Sequence, residues 1–169
     1  MGLDMYLHAK KYVEKINWEK LDRDNDIGLD SPEVVNPLWN EIVDTAGMSD
    51  VATDIYGVHV EVTCAYWRKA NQIHKWFVDN VQDGKDDCGS YYVSKEKLQQ
   101  LLDACEDVLE DHSKAKDLLP VSSGFFFGSY EYDDWYFDSL HQTVKICQEA
   151  IKLMEGDIKY SSFYYQSSW

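Results

Sequence analysis

Residues 65–78 read AYWRKANQIHKWFV, and at this point an alternating strand pattern gives way to a helical repeat. On a helix that turns by about 100° per residue, five nearby side chains share one narrow arc. They are Tyr66, Ala70, Ile73, Phe77 and Val81. Such an arc predicts a core-facing helix over 66–81. The flanks of the arc carry Trp67, Asn71 and His74 on one edge and Lys69 on the other, while Arg68 faces away.

The residues before this stretch alternate between apolar and polar side chains, which is typical of a half-buried strand. One face of 55–64 carries Val58, Val60, Val62 and Cys64, and one face of 1–8 carries Leu3, Met5 and Leu7. The C-terminal residues 160–169, YSSFYYQSSW, are rich in β-prone aromatic side chains. We therefore expect a small, mainly antiparallel sheet of an N-terminal, a central and a C-terminal strand.

Two further helices follow the central one. Ser94 is a good N-cap, and after it Leu98, Leu101, Leu102, Cys105, Val108 and Leu109 recur at helical spacing. Another apolar repeat runs over 134–155 and stops at Gly156. With about three main helices packed on the sheet, the sequence predicts an α+β fold in one domain, 1–169. Its least defined part is an acidic helix–loop–helix segment at about 10–50, with helix-like pieces at 11–21 and 37–46.

Composition limits the kinds of partner. The chain of 169 residues has 16 basic and 31 acidic side chains, and its net charge of −15 repels nucleic acid and anionic lipid. No apolar run approaches the roughly 18 residues of a membrane span. The four cysteines are far apart and form no C-x-x-C pair, as in reduced thiols of a cytoplasmic protein. We expect neither a membrane nor a nucleic acid as a direct partner.

Two metal sites are conceivable. Asp22, Asp24, Asp26, Asp30 and Glu33 fall at positions one, three, five, nine and twelve of a calcium loop. Position six, however, holds Ile27, and a β-branched residue resists the positive φ required there. A solvated acidic loop is the alternative. The second set comprises Asp4, His8, His59 and Glu61, which could converge if their strands are neighbours; solvent-facing strand residues are the alternative.

An aromatic and polar surface is the main candidate site. We expect Trp67, Asn71 and His74 to meet the glycine- and ring-rich loop at 124–132. The full predicted set adds Arg68, Lys69, Phe125, Phe126, Phe127, Tyr130 and Trp135. Aromatic anchors with a few polar groups are what a binding hot spot needs. The alternative is that Asn71 and His74 fasten the loop onto the helix, since buried polar side chains usually serve structure.

Four stretches together resemble a family of small accessory proteins of tailed bacteriophages and prophages: MGLDMYL, AYWRKANQIHKWFV, GFFFGS with YEYDDWYFDSL after it, and YYQSSW. The resemblance spans the chain but omits 10–50. The family has no settled activity, so no residue role is carried over. What the resemblance implies is expression in the cytoplasm of an infected or lysogenic bacterium, and binding to host enzymes or to defence components and their nucleotide signals.

The first functional expectation is a non-catalytic protein that binds a host component through this surface. A nucleotide is the alternative ligand, with rings stacked on the base and Arg68 or Lys69 at the phosphate. The acidic charge also allows a DNA mimic that inhibits a nucleic-acid enzyme. An enzyme with an unrecognised site stays open. We expect no cofactor, because GFFFGS lacks the lysine of a phosphate-binding loop. The sequence leaves the oligomeric state open.

Overall fold

The structure, a computed structural model, describes residues 2–21, 27–29, 31–50, 56–124, 127–155 and 161–169. The strands are β1 (Asp4–Glu14), β2 (Gly57–Arg68), β3 (Ser90–Val93) and β4 (Ser161–Ser168). The helices are α1 (Pro37–Thr45), α2 (Asn71–Asn80), α3 (Lys95–Glu110), α4 (Ala115–Leu118) and α5 (Asp134–Glu155). Short 3-10 turns cover Trp18–Lys20, Pro32–Val34 and His112–Lys114. The predicted α+β fold is confirmed.

The four strands form an antiparallel sheet in the order β2-β1-β4-β3. The N-terminal, central and C-terminal strands were predicted. Strand β3 was not, because its four residues give too short an alternation before the Ser94 cap. It pairs with β4 in a register that sets Ser90 opposite Gln166 and Val93 opposite Phe163.

The chain divides into two compact units, one of Met1–Lys10 with Glu61–Trp169 and one of Lys11–Val60. In the first, Leu3 just before β1 and Met5 and Leu7 on β1 point inward and are fully buried. Helices α3 and α5 supply a further part of this core, including Leu101, Cys105, Leu140 and Cys147. Both helices begin where the sequence predicted, and the side chain of Ser94 accepts from the backbone N–H of Lys97.

The predicted helix over 66–81 is wrong at its start. Strand β2 continues through Arg68, and α2 begins only at Asn71. Alternation along the strand buries Trp67 and leaves Tyr66 exposed, whereas the helical arrangement would have buried Tyr66. The turn between the two elements is made by Lys69, whose φ is 58°. From Ala70 onward the helical prediction holds, since Ile73 and Phe77 are fully buried.

The unit Lys11–Val60 has its own small core of Val13, Trp39 and Val43. The predicted helix at 11–21 is wrong, because β1 continues to Glu14 and only a 3-10 turn follows. The prediction at 37–46 corresponds to α1, where Asn36 caps the backbone N–H of Leu38. Among the residues described, no helix has both the length and the apolar character needed to cross a membrane.

Candidate functional site

Trp67, Asn71 and His74, the polar and aromatic edge predicted from the sequence, are all buried to about 1% exposure. Trp67 leaves the end of β2 toward α5, where its indole N–H donates to the hydroxyl of Thr143 over 2.9 Å. That hydroxyl in turn donates to the carbonyl of Ser139. Trp67 therefore ties β2 to α5 and presents no surface to a partner.

Asn71 holds the loop that follows α4. Its side-chain amide donates to the carbonyls of Phe127 and Ser129, at 3.3 and 2.9 Å, and its oxygen accepts from the backbone N–H of Ser122 at 2.9 Å. All three partners are backbone groups. The geometry corresponds to the alternative raised from the sequence, in which this residue fastens the ring-rich loop onto the helix.

His74 lies between the carboxylate of Asp86 and the hydroxyl of Tyr165. Its Nε2 lies 3.1 Å from a carboxylate oxygen of Asp86, and its Nδ1 lies 2.7 Å from the hydroxyl of Tyr165. Because a carboxylate only accepts, Nε2 carries a proton, and a neutral ring then accepts from Tyr165 at Nδ1. Phe127 packs edge-on against the imidazole, with ring centroids 5.4 Å apart. The predicted neighbourhood of His74 and Phe127 exists, but it lies inside the molecule.

The remaining described members of the predicted set are at the surface. Trp135 is 60% exposed and Tyr130 is 51% exposed. Arg68, the last residue of β2, and Lys69 after it are also exposed. We call Arg68, Lys69, Tyr130 and Trp135 the Trp135 surface. Phe125 and Phe126 lie outside the described residues.

Two grooves meet at Trp135. The first groove, of about 290 Å³, is lined by Tyr66, Arg68, Ala70, Trp135, Asp138, Ser139 and Gln142. The second groove, of about 490 Å³, is lined by Lys69, Gly128, Ser129, Asp133 and Trp135. Each groove thus contains one cation and one carboxylate next to the same exposed indole. The predicted set did not include Asp138 or Gln142, although their spacing of three and seven residues from Trp135 puts them on one face of a helix.

The backbone between the two grooves is constrained. Lys69 has the left-handed conformation that side chains other than glycine rarely adopt. Gly128 has a φ of 108°, and a Cβ at this position would lie 2.8 Å from the carbonyl oxygen of Lys69. The loop therefore approaches the β2–α2 turn more closely than any residue with a side chain would permit. This contact fixes where Arg68 and Lys69 sit relative to Trp135.

The shifted pKa values of two carboxylates and one thiol have local structural causes. The backbone N–H of Gly89, followed by the hydroxyl of Tyr91, lowers the pKa of Asp87. The hydroxyl and the backbone N–H of Ser113 lower the pKa of Asp111. Burial raises the pKa of the Cys147 thiol to about 12, which makes it a poor nucleophile. These shifts reflect turns, caps and burial, and none of these groups lines the two grooves.

The structure bears differently on the two metal sites predicted from the sequence. Asp22, Asp24, Asp26 and Asp30 lie outside the described residues, and Glu33 is exposed in the turn Pro32–Val34. The calcium prediction therefore stays a prediction. In the second set, Nδ1 of His8 lies 3.3 Å from a carboxylate oxygen of Glu61. Within the described ranges, histidine, cysteine and carboxylate side chains nowhere gather in threes around a possible metal position.

Comparison of the chain with protein-family models, with curated proteins and with solved structures finds no match. The function is therefore argued from the geometry of the Trp135 surface and its two grooves.

Proposed function

We propose that this chain is a non-catalytic accessory protein of tailed bacteriophages that binds a host protein through the Trp135 surface. The host component is an enzyme or a defence factor in the cytoplasm of an infected or lysogenic bacterium. The phage context rests on the sequence resemblance given above. The binding role rests on the geometry of the surface.

The single observation that carries the proposal is the exposure of Trp135. An indole that is 60% exposed loses the contribution that burial of its large apolar surface would make to folding. Tryptophan and arginine are the residues that most often dominate the energy of an interface. Here Trp135 and Arg68 line the same groove, and Lys69 lines the groove on the other side of the indole.

Charge supports a protein partner over a nucleic acid. With 31 acidic against 16 basic side chains, the chain repels phosphate backbones at long range. Neither Arg68 nor Lys69 forms an ion pair within the described part of the chain, so both cations are available to a partner. Both grooves are open to solvent, which suits a protein surface better than a ligand that must be enclosed.

The experiment compares capture from host lysate by three versions of the full chain. Trp135→Ala removes the proposed anchor, and Trp18→Ala removes a tryptophan of similar exposure, 58%, elsewhere in the chain. We expect a host protein that the wild type and Trp18→Ala enrich equally and that Trp135→Ala enriches at least about tenfold less. Equal capture by all three proteins would refute the proposal.

A nucleotide ligand is the second candidate, because one observation favours it. The helical arrangement had turned Arg68 away from the aromatic edge, whereas in the structure Arg68 and Trp135 line one groove. A guanidinium beside an indole suits a phosphate attached to a flat ring. Calorimetry with a panel of cyclic and linear nucleotides tests this. Binding that Arg68→Ala abolishes would favour it, and absence of heat at millimolar ligand would exclude it.

A further inference from the structure

The outer edge of β2 over Glu61–Arg68 carries backbone groups that face away from the sheet. Strand β2 is the terminal strand of the order β2-β1-β4-β3, and no described segment pairs with its other side. The N–H of Lys69 donates to the carbonyl of Leu3, the residue before β1, so residues 67 and 69 face inward. Tyr66 and Arg68 have the opposite parity, and their N–H and C=O groups therefore point outward.

A side chain, rather than a strand, contacts the outward carbonyl of Tyr66 on this edge. The carbonyl of Tyr66 accepts from the side-chain amide of Gln142 on α5, over 2.9 Å. The thiol of Cys64 contacts the carbonyl of Val62 at 3.5 Å. Val62 itself is 54% exposed although it is apolar and lies within a strand. Long, open and partly apolar edges of this kind accept an added strand.

Helix α5 runs beside this edge, and we call the two grooves between them together the trough. The first groove is lined by α5 residues 135, 138, 139 and 142. A third groove, of about 190 Å³, is lined by Leu7, Cys64, Lys145, Ile146, Glu149, Ala150 and Leu153. The α5 positions of the two grooves follow one another at helical spacing along a single stripe. The trough therefore extends along β2 from Cys64 to Arg68, with Trp135 at one end.

The occupant follows from backbone chemistry and charge. Tyr66 is not free to stack on a base, because its hydroxyl donates to Asp4 and its ring packs on Tyr6. Within the trough, the positive charges of Arg68 and Lys145 cancel the negative charges of Asp138 and Glu149. The net charge of the whole molecule therefore decides which partner charge is preferred. A net charge of −15 attracts a basic protein and opposes a second copy of the same chain.

We infer that an extended segment of a basic partner protein adds to the outer edge of β2 as a fifth strand. Its backbone pairs with the outward groups of Tyr66 and Arg68 and displaces the Gln142 amide. Its side chains enter the trough on α5 and reach Trp135. This inference rests on the proposed function, because it names how the host protein is held by the same surface.

The test begins with a displayed library of random twelve-residue peptides, selected on the immobilised full chain. Selected peptides are expected to be enriched in lysine and arginine. They are then synthesised with N-methyl groups at residues of one parity or the other, and their affinities are measured by calorimetry. A peptide that adds as a strand uses only alternate N–H groups, so one methylated series should lose about tenfold or more per lost bond and the other should bind normally.

Two variants make the same test from the side of the protein. Arg68→Pro and Arg68→Ala both remove the guanidinium, but only the proline also removes the outward N–H, which an edge strand tolerates. Arg68→Pro should bind a selected peptide at least about tenfold more weakly than Arg68→Ala. Thermal unfolding of both variants shows whether the proline is folded. If it is not, the N-methylated peptides decide alone.

The outcomes separate the inference from the proposed function. Parity-dependent loss on N-methylation supports the inference. Peptides that require Trp135 but bind equally in both methylated series overturn the added strand and leave the binding role intact. Peptides indifferent to Trp135→Ala refute the binding role. Failure to select any peptide, enrichment in acidic peptides, or self-association of the chain through β2 overturns the inference.

Discussion

Asn71 satisfies three backbone groups of the segment 122–129 with one buried side chain. Its amide donates to two carbonyls and its oxygen accepts from one N–H. No hydrophobic residue of the same size can replace it without leaving these groups unpaired. A buried backbone group without a partner costs about 1–3 kcal/mol. Asn71 is thus a residue of the fold whose effect on binding is indirect, through the position of Gly128 beside Trp135.

Asn71→Ala should lower the free energy of unfolding by about 3 kcal/mol, because water can reach only some of the released groups. Asn80→Ala is the control on the same helix, where the side chain makes one hydrogen bond, to the carbonyl of Trp76. This control should cost less than about 1 kcal/mol. Urea unfolding at neutral pH measures both. A loss of equal size in the two variants would contradict the role given to Asn71.

Tyr165 makes stability depend on alkaline pH. Burial, followed by the charge of Asp86, raises its pKa well above the usual value of 10.0. Below pH 10 the phenol is protonated in both states. Above pH 10 the unfolded chain releases this proton and the folded chain keeps it. Stability is therefore lost as the pH rises from 10 toward the folded pKa, by about 1.4 kcal/mol per pH unit.

Tyr165→Phe tests this linkage. At pH 7 the variant should be less stable by about 1–2 kcal/mol, because His74 loses its partner at Nδ1. Above pH 10 the difference between wild type and variant should shrink by about 1.4 kcal/mol per unit. Chemical unfolding at pH 7, 10 and 11 gives the values, with Tyr92→Phe on an exposed ring as the control. A difference that stays constant with pH would contradict the linkage.

At the residue scale, the sequence pattern identified candidate site residues but did not show which of them are buried and which are exposed. Trp67 and Trp135 are the same residue type, each next to charged or polar neighbours in sequence. Trp67 is buried because a strand, not a helix, carries it to the core. Trp135 is exposed because it lies at the edge of the face of α5 that supplies the core. The burial of Trp67 depends on where β2 ends and α2 begins, and local sequence patterns do not determine that boundary.

The turn from β2 to α2 is the element on which the Trp135 surface depends. It changes direction within Lys69 and Ala70 and carries its positive φ at a lysine rather than at a glycine. Such strain of about 1–3 kcal/mol persists only where neighbouring structure holds it. Gly128 supplies that support, because it packs so closely against the carbonyl of Lys69 that a Cβ would not fit between them.

Gly128→Ala should therefore cost more than an ordinary glycine replacement at positive φ. Gly84 is the matched control, because its φ is 75° and a Cβ there would meet nothing within 4 Å. Gly84→Ala should lose about 1 kcal/mol from the left-handed conformation alone. Gly128→Ala should lose about 2 kcal/mol more, since the loop must also move from Lys69. Equal losses in thermal or urea unfolding would show that the close approach has no energetic role.

At the scale of elements, the sequence predicted α3 and α5 well because each combines a long apolar stripe with a clear start. Ser94 caps the first, and Asp133 accepts from the backbone N–H of Tyr136 at the second. The segment 66–70 was assigned to a helix because its aromatic residues fit both a strand and a helix. The piece at 11–21 failed for a similar reason, since Tyr12 and Val13 extend β1. Tertiary packing decides such cases.

At the scale of the whole molecule, the buried apolar side chains of the described residues gather into two clusters of unequal size. The larger lies in Met1–Lys10 with Glu61–Trp169 and includes most of the inward face of α3 and α5. The smaller consists of Val13, Trp39 and Val43 within Lys11–Val60. Among the described residues, the buried indole N–H of Trp39 has no hydrogen-bond partner. A small core with an unsatisfied donor gives its unit less protection against opening.

Native-state hydrogen exchange should therefore distinguish the two units. Amides of α1 should exchange at least about tenfold faster than those in the centre of α5, because a small core opens at lower free energy. Trp39→Ala should speed exchange in α1 and leave α5 protected. Leu140→Ala, at a fully buried position of α5, should lose about 2–5 kcal/mol and speed exchange throughout α3 and α5. Mass spectrometry of peptic fragments resolves these segments. If α1 and α5 exchange at one rate in the wild type, and both respond equally to Trp39→Ala, the chain opens as one cooperative unit and the smaller core does not set the stability of its own segment.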